Sequence, residues 1–451
     1  MKMYDTPREI GAYLNRPLEC ACGRTHYVPI KAVRIGPGAL EALPELLMEQ
    51  GYQSPFLLCD PITYRVAGER CETLMKQAGI PCSVHVLTHL DFDEATLGEI
   101  VVSVPSDADV MIGVGTGSIT DMTRYSSFRL SLPCFTVATG APMDGFAASI
   151  GILNVNRLKL TLPAHCTEAI LGDTDILKTA PYRMTVAGFG DLIGKVNCLS
   201  DWKLARIVNG EHFCPAIVEL VEDCVRKILA DAPRIRERDP AVLGEVMKGL
   251  VVSGAAISLY GDSRPASGAE HHFSHYWETV YDQRGEQHAM HGEQVATGTV
   301  LMLMLAEELL KTTPDFDMAR RAAENYDPAA WETEIRRAYG AAAQEVIDLE
   351  ARAGKNTPEG RLRRIDSMEE HWEAIRAQLR TLPSAKELRE ILDTVGCPCT
   401  PRQIGVEEDV LKDAFLYAKE VRPRYTLLQL IWDLDLLDEL SDRVMARLRE
   451  D

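Results

Sequence analysis

Three segments of the 451-residue chain concentrate groups able to hold a metal or move a proton. They are Gly188–Lys195, which contains Asp191; Ser263–His275, which contains His271, His272 and His275; and His291–Gln294, led by His291. One carboxylate with two imidazoles suits a catalytic divalent cation that keeps a coordination position open. Such a cation polarises a hydroxyl or carbonyl oxygen. His271 and His275 are four apart and share one face of a helix. The residues alone therefore leave open whether His275 or His291 completes the set. His272 points off that face, and His288 lacks the glycine that follows His291. Lys195, four residues after Asp191, reads either as its ion-pair partner or as a cation for an anionic substrate group.

These groups sit in an ordinary globular background. The length exceeds one core, and 46% apolar with 25% charged residues is normal for a water-exposed fold. The net charge of −19 argues against general binding to nucleic acid or anionic membrane, though a local pocket can still take a small anion. Met1–Pro7 lacks a signal-peptide core, and no run of eighteen uninterrupted apolar residues occurs, so a cytoplasmic protein without membrane insertion is expected. Twelve scattered cysteines are expected to be reduced thiols. Cys20-Ala21-Cys22 with His26, and Cys397-Pro398-Cys399, have a spacing tighter than the usual zinc loop, which favours thiols in turns over a structural metal.

The elements that must position the site change character along the chain. Residues 1–35 read as an arm. Four apolar runs, Pro55–Asp60, Ser83–Leu87, Val110–Gly115 and Cys134–Thr139, then alternate with helical patterns, which implies βαβ units and a mainly parallel sheet. From about Pro181 a 3.6-residue period takes over, as in Gly210–Ala232, Leu243–Leu259, Val295–Leu310 and Trp331–Arg352. An α/β domain over residues 1–180 and an all-helical domain over 181–451 follow. Gly113–Asp121 leaves a strand and opens a helix, where close backbone approach and helix-start amides favour phosphate oxygens. Thr139–Gly145 forms a second glycine turn at a strand end, the place where an open α/β sheet binds its ligand.

On Gly115–Asp121, Met143-Asp144-Gly145, Gly190-Asp191-Leu192 with Asp201-Trp202, Ser263–His275 and Pro401–Gly405, the chain resembles the sn-glycerol-1-phosphate dehydrogenases, including their bacterial AraM-like branch. These belong to the superfamily of iron-containing alcohol dehydrogenase and dehydroquinate synthase. The resemblance implies that Asp191, His271 and His291 ligate the metal, and that Asp144, Asp191 and His275 contact substrate. It implies a dinucleotide cradle of Gly115, Gly117, Ser118, Ile119, Thr120 and Asp121 with Thr139, Gly140, Ala141 and Pro142. Asp60 resembles the acid near the adenosine ribose. Ala148 departs from the serine that relatives often carry near the cofactor, with Ser149 beside it, and Pro142 stands where small residues are common.

The resemblance further implies a metal-dependent enzyme of phospholipid biosynthesis that interconverts dihydroxyacetone phosphate and sn-glycerol 1-phosphate with NAD(H) or NADP(H). His275 would carry the proton, Asp144 would orient the substrate hydroxyl, and Lys195 would meet the phosphate. Lys195 stands where iron-dependent relatives commonly place a fourth ligand, a histidine, so Zn2+ is favoured, with Ni2+ next. A small phosphorylated substrate and a homo-oligomer are expected, with no nucleic-acid partner. The competing readings are a dehydrogenase of another polyol or phosphorylated polyol and, behind it, a dehydroquinate-synthase-like lyase.

Overall fold

A computed structural model describes residues 10–155 and 158–450; the Met1–Pro7 segment read above lies outside them. Two compact units divide the chain: residues up to Leu192 with Pro215–Ser263, and Ile193–Cys214 with Arg264–Asp451.

The first unit begins with a short antiparallel pair, β1 (Leu18–Glu19) and β2 (Thr25–His26). Its centre is a six-stranded parallel sheet of β3 (Ala32–Gly36), β4 (Pro55–Cys59), β5 (Ser83–Val86), β6 (Val110–Gly115), β7 (Cys134–Ala138) and β10 (Ala169–Asp173). The spatial order is β3-β10-β7-β6-β4-β5. β4, β6 and β7 are buried along their whole length, which is why they read as unbroken apolar runs. Successive residues nevertheless serve opposite faces. Leu57, Ile112, Val114, Phe135 and Val137 pack with Leu43, Leu47 and Met75, whereas Phe56, Leu58, Met111 and Cys134 pack with Ile100, Ile119 and Met122. An antiparallel pair, β8 (Ile150–Val155) and β9 (Leu158–Pro163), stands apart from this sheet.

The four expected strands are present, and β3 and β10 add two more that pair with each other over five residues. Among the described residues no strand follows β10. The first unit does not end with the strands, however: the helices Pro215–Ile235 and Pro240–Tyr260 belong to it. The second of these packs beside β3 and the Gly145–Ala147 turn, and Met247 sits against Gly172 of β10. By length and composition Pro240–Tyr260 could cross a membrane, but most of it is buried in the fold, as befits a core helix.

The second unit is helical. Its central helix, His291–Lys311, is buried nearly all round and packs against Ala269–Arg284 and Leu437–Glu450. The expected helix over Trp331–Arg352 is two helices, Pro328–Tyr339 and Ala343–Ala353, separated by a 3-10 turn at Gly340–Ala342.

Candidate active site

In the first unit the chain runs from β4 outward to β5 and returns to place β6 on the other side of β4, so the sheet switches direction between β4 and β6. Ligands of open parallel sheets bind beyond the strand carboxyl ends at such a switch. Asp60 follows β4 there, and Gly115–Gly117 leaves β6 beside it. Asp60 caps the helical turn Pro61–Thr63, its Oδ1 accepting from the Ile62 and Thr63 amides at 2.7 and 2.8 Å. Gly117 (φ 47°) makes the tight entry into the helix Ser118–Leu130, a backbone conformation that disfavours any side chain. The amide of Thr139 donates to the Gly115 carbonyl at 3.2 Å, so the two glycine turns lie side by side. Arg124 pairs with Asp121 and donates to the Ala148 carbonyl at 2.6 Å, which ties those two cradle positions together.

Asp144 and Asp191 meet in the same unit. The backbone N–H of Asp144 donates to Asp191 Oδ2 at 2.8 Å, and Ser253 Oγ donates to Asp144 Oδ2 at 2.8 Å. The helix carrying Ser253 approaches closely because Gly254 has no side chain: a Cβ there would strike the Asp144 carbonyl.

The imidazoles gather in the second unit. His271 and His275 lie on the helix Ala269–Arg284, and His291 opens the next long helix. Ring centroids are 5.3 Å apart for His271 and His291, 5.4 Å for His275 and His291, and 6.2 Å for His271 and His275. Each Nδ1 faces a carboxylate: His271 faces Glu270 at 2.6 Å, while His291 and His275 face the two oxygens of Glu278 at 2.9 and 3.3 Å. A carboxylate on Nδ1 fixes the tautomer and leaves the Nε2 lone pair for a metal or a proton. Burial pushes the His275 pKa down to about 4, against the opposing pull of Glu278. His272 is fully buried and held neutral by that burial, while His288 turns to the Ala289 carbonyl and Asp282.

Lys195 is also in this unit. It is fully buried, and its ammonium donates to the Ala266 carbonyl at 2.8 Å, inside the Ser263–Gly268 loop. Arg264 in that loop makes a two-pronged pair with Glu211 at 2.7 Å on each side. The loop leads into the imidazole helix, whose first amide, that of Ala269, is taken by Asp201 Oδ2 at 2.8 Å.

Ser253, Glu270 and Glu278 were not legible as site residues. Glu270 adjoins His271 and Glu278 lies three residues after His275, which is a usable signal for orienting carboxylates; Ser253 offers none.

Residues 34–181 match the family model described as iron-containing alcohol dehydrogenase. The glycerol-1-phosphate dehydrogenase (NAD(P)+) of Pyrococcus horikoshii is 33% identical over 280 residues, covering 61% of this chain and 78% of that protein. The protein of the same name from Halalkalibacterium halodurans is 28% identical over 416 residues, covering 91% and 94%. Among solved structures, a probable glycerol dehydrogenase from Sinorhizobium meliloti superposes with a TM-score of 0.62 at 16% identity, over 94% of this chain and 98% of that one, and shares the fold.

Proposed function

The chain belongs to the glycerol-1-phosphate dehydrogenase family, and from that premise we propose that it interconverts dihydroxyacetone phosphate and sn-glycerol 1-phosphate by hydride transfer with NAD(H) or NADP(H). The observation that carries this reading is the set of three imidazoles whose Nδ1 atoms all lie on carboxylates. That is the arrangement a His-ligated metal requires, and it leaves one imidazole for protons.

Asp191, His271 and His291 are the proposed metal ligands. His271 and His291 place ring nitrogens within 4.8 Å of each other. The helix Tyr182–Asn209 is unbroken, and a Cβ on its Gly194 would lie 3.6 Å from His271 Cε1. Asp191 is three residues earlier on the same helical face. The mixed O/N set suits a divalent cation, with Zn2+ favoured over Ni2+ because Lys195 replaces a fourth imidazole. When bound, the cation polarises the substrate's secondary oxygen. Bound NAD(P) supplies or accepts the hydride.

The chain's own residues do the rest. Asp144, held by Ser253, accepts a hydrogen bond from the substrate hydroxyl and sets its orientation. His275, its Nδ1 turned to Glu278, exchanges the substrate proton at Nε2. Lys195 places positive charge by the Ser263–Gly268 loop for the phosphate. Gly115, Gly117, Ser118, Ile119, Thr120 and Asp121 cradle the dinucleotide with Thr139, Gly140, Ala141, Pro142 and Ala148, and Asp60 meets the adenosine ribose. The same reading makes the protein a cytoplasmic homo-oligomer that serves phospholipid biosynthesis.

The test is NADH oxidation with dihydroxyacetone phosphate after metal stripping and after re-addition of Zn2+ or Ni2+. Loss and recovery of turnover are expected. Turnover of unphosphorylated dihydroxyacetone alone would mean a different polyol dehydrogenase, and no net NADH consumption would mean a lyase.

A further inference from the structure

The first unit contains a second group of metal-binding side chains that the proposed reaction does not use. β1 and β2 form a hairpin with Leu18 opposite His26 and Glu19 opposite Thr25. Its turn is closed by the Cys20 amide on the Arg24 carbonyl at 3.1 Å and the Gly23 amide on the Cys20 carbonyl at 3.0 Å. Gly23 takes the left-handed conformation (φ 87°) that closing so short a turn requires. This brings the sulfurs of Cys20 and Cys22 and a ring nitrogen of His26 within 4.8 Å of one another. The tight Cys-x-Cys spacing, which argues for thiols in turns when read in sequence, is thus folded into a knuckle.

His26 has the marks of a ligand. It is buried, and its Nδ1 lies 2.7 Å from the Leu259 carbonyl, so Nδ1 carries the proton and donates it there. Nε2 then presents its lone pair, 3.2 Å from Cys22 Sγ. A backbone carbonyl on the far ring nitrogen is the usual support of a metal-bound imidazole. None of the twelve cysteines is in a disulfide.

We propose that Cys20, Cys22 and His26 hold one Zn2+, separate from the catalytic cation. Two thiolates and one imidazole on a single hairpin supply three ligands of a tetrahedral ion. Binding requires the thiols to lose their protons and couples the ion to folding of this region. The ion would staple the amino-terminal hairpin to the carboxyl end of the helix Pro240–Tyr260 through His26 and Leu259. That helix also carries Ser253, which holds Asp144, so the staple steadies a substrate-orienting residue from a distance.

Cobalt substitution of the full-length enzyme separates the two sites, because only this one contains sulfur. Wild type should bind about two metal ions per chain and, with Co2+, show sulfur-to-cobalt charge-transfer absorption. His291→Ala should lose one ion and keep that absorption. Cys22→Ser should lose the other ion with the absorption. Should serine variants fail to fold, Cys22→His retains a ligand and should keep the ion with weaker sulfur absorption. Wild type without sulfur-to-cobalt absorption would overturn the proposal and leave Cys22 and His26 as a simple hydrogen-bonded pair.

Discussion

The backbone N–H of Asp144 lies 2.8 Å from Asp191 Oδ2, so the two acids proposed to handle substrate are a single hydrogen-bonded assembly. Ser253 completes it by donating to Asp144 Oδ2, which leaves Asp144 Oδ1 outside this pair of bonds. Ser253→Ala would remove the donor from a buried site and let the Asp144 carboxylate rotate. The cost of one lost hydrogen bond to a charged group is about 1.5–3 kcal/mol, so kcat/KM should fall by at least about tenfold. Metal content should not change. Steady-state kinetics with metal analysis checks this, and an unaltered kcat/KM would remove Asp144 orientation from the mechanism.

The three imidazoles should separate by metal content. His271→Ala and His291→Ala are expected to abolish both bound catalytic metal and turnover, whereas His275→Ala keeps the metal and loses turnover. Loss of a ligand empties a site; loss of a proton carrier leaves coordination intact. If His275→Ala emptied the catalytic site and His291→Ala did not, the two roles would be exchanged. Glu278 faces both rings, so Glu278→Gln should weaken metal binding by about ten- to a hundredfold, as for other outer-shell partners.

Lys195 offers a test of phosphate recognition. Its ammonium is buried and already donates to the Ala266 carbonyl. Lys195→Met should raise KM for dihydroxyacetone phosphate by at least about tenfold, the scale of one charge-assisted contact. Turnover of unphosphorylated dihydroxyacetone should change little. Equal losses on both substrates would show that Lys195 acts by holding the Ser263–Gly268 loop.

Legibility in the sequence followed burial. β4, β6 and β7 are enclosed on both faces and read as strands from composition alone. β3 was folded into the amino-terminal arm because it is an edge strand only partly covered, with Arg34 in its middle. β10 has only Ala169, Ile170 and Leu171 as apolar side chains before Gly172 and Asp173, too short a run for periodicity to distinguish from a buried helical turn. The ligand candidates were legible because Asp, His and glycine crowd together at Gly188–Lys195, Ser263–His275 and His291–Gln294. The residues that aim them were not. Ser253 and Glu278 are ordinary helix residues until tertiary packing sets them against Asp144 and the imidazoles.

Cofactor choice should depend on Asp60. It stands at the carboxyl end of β4 beside the sheet's switch point, where a carboxylate accepts from a ribose 2′-hydroxyl and repels a 2′-phosphate. NAD(H) should therefore be preferred over NADP(H), and Asp60→Ser should narrow that preference by about tenfold, the effect of one charged contact. The substitution keeps an N-cap oxygen for Ile62 and Thr63, so folding should be little affected. Equal efficiency with both cofactors in the wild type would count against this role.

Stability of the second unit should fall as pH rises toward neutrality, through Asp201. Its carboxyl is fully buried; burial and the nearby Glu270 carboxylate push its pKa up to about 7, against the pull of the Ala269 and Leu427 amides. Glu270, by contrast, is held below its ordinary value despite burial, by His271 and Asn197. The proton of this pair of acids thus sits on Asp201. A folded-state pKa above the unfolded one means that unfolding releases a proton between the two values. The stabilisation is complete below about pH 4, declines by up to about 1.4 kcal/mol per pH unit, and is lost above about pH 7. Asp201→Asn cannot titrate; its single carbonyl oxygen replaces only one of the two oxygens that accept from the Ala269 and Leu427 amides, so the variant starts less stable and the comparison lies in the slope with pH. Thermal midpoints from about pH 5 to pH 8 should therefore show a wild-type advantage that shrinks with rising pH relative to the variant. Parallel profiles for the two proteins would mean that Asp201 is ionised in the folded chain.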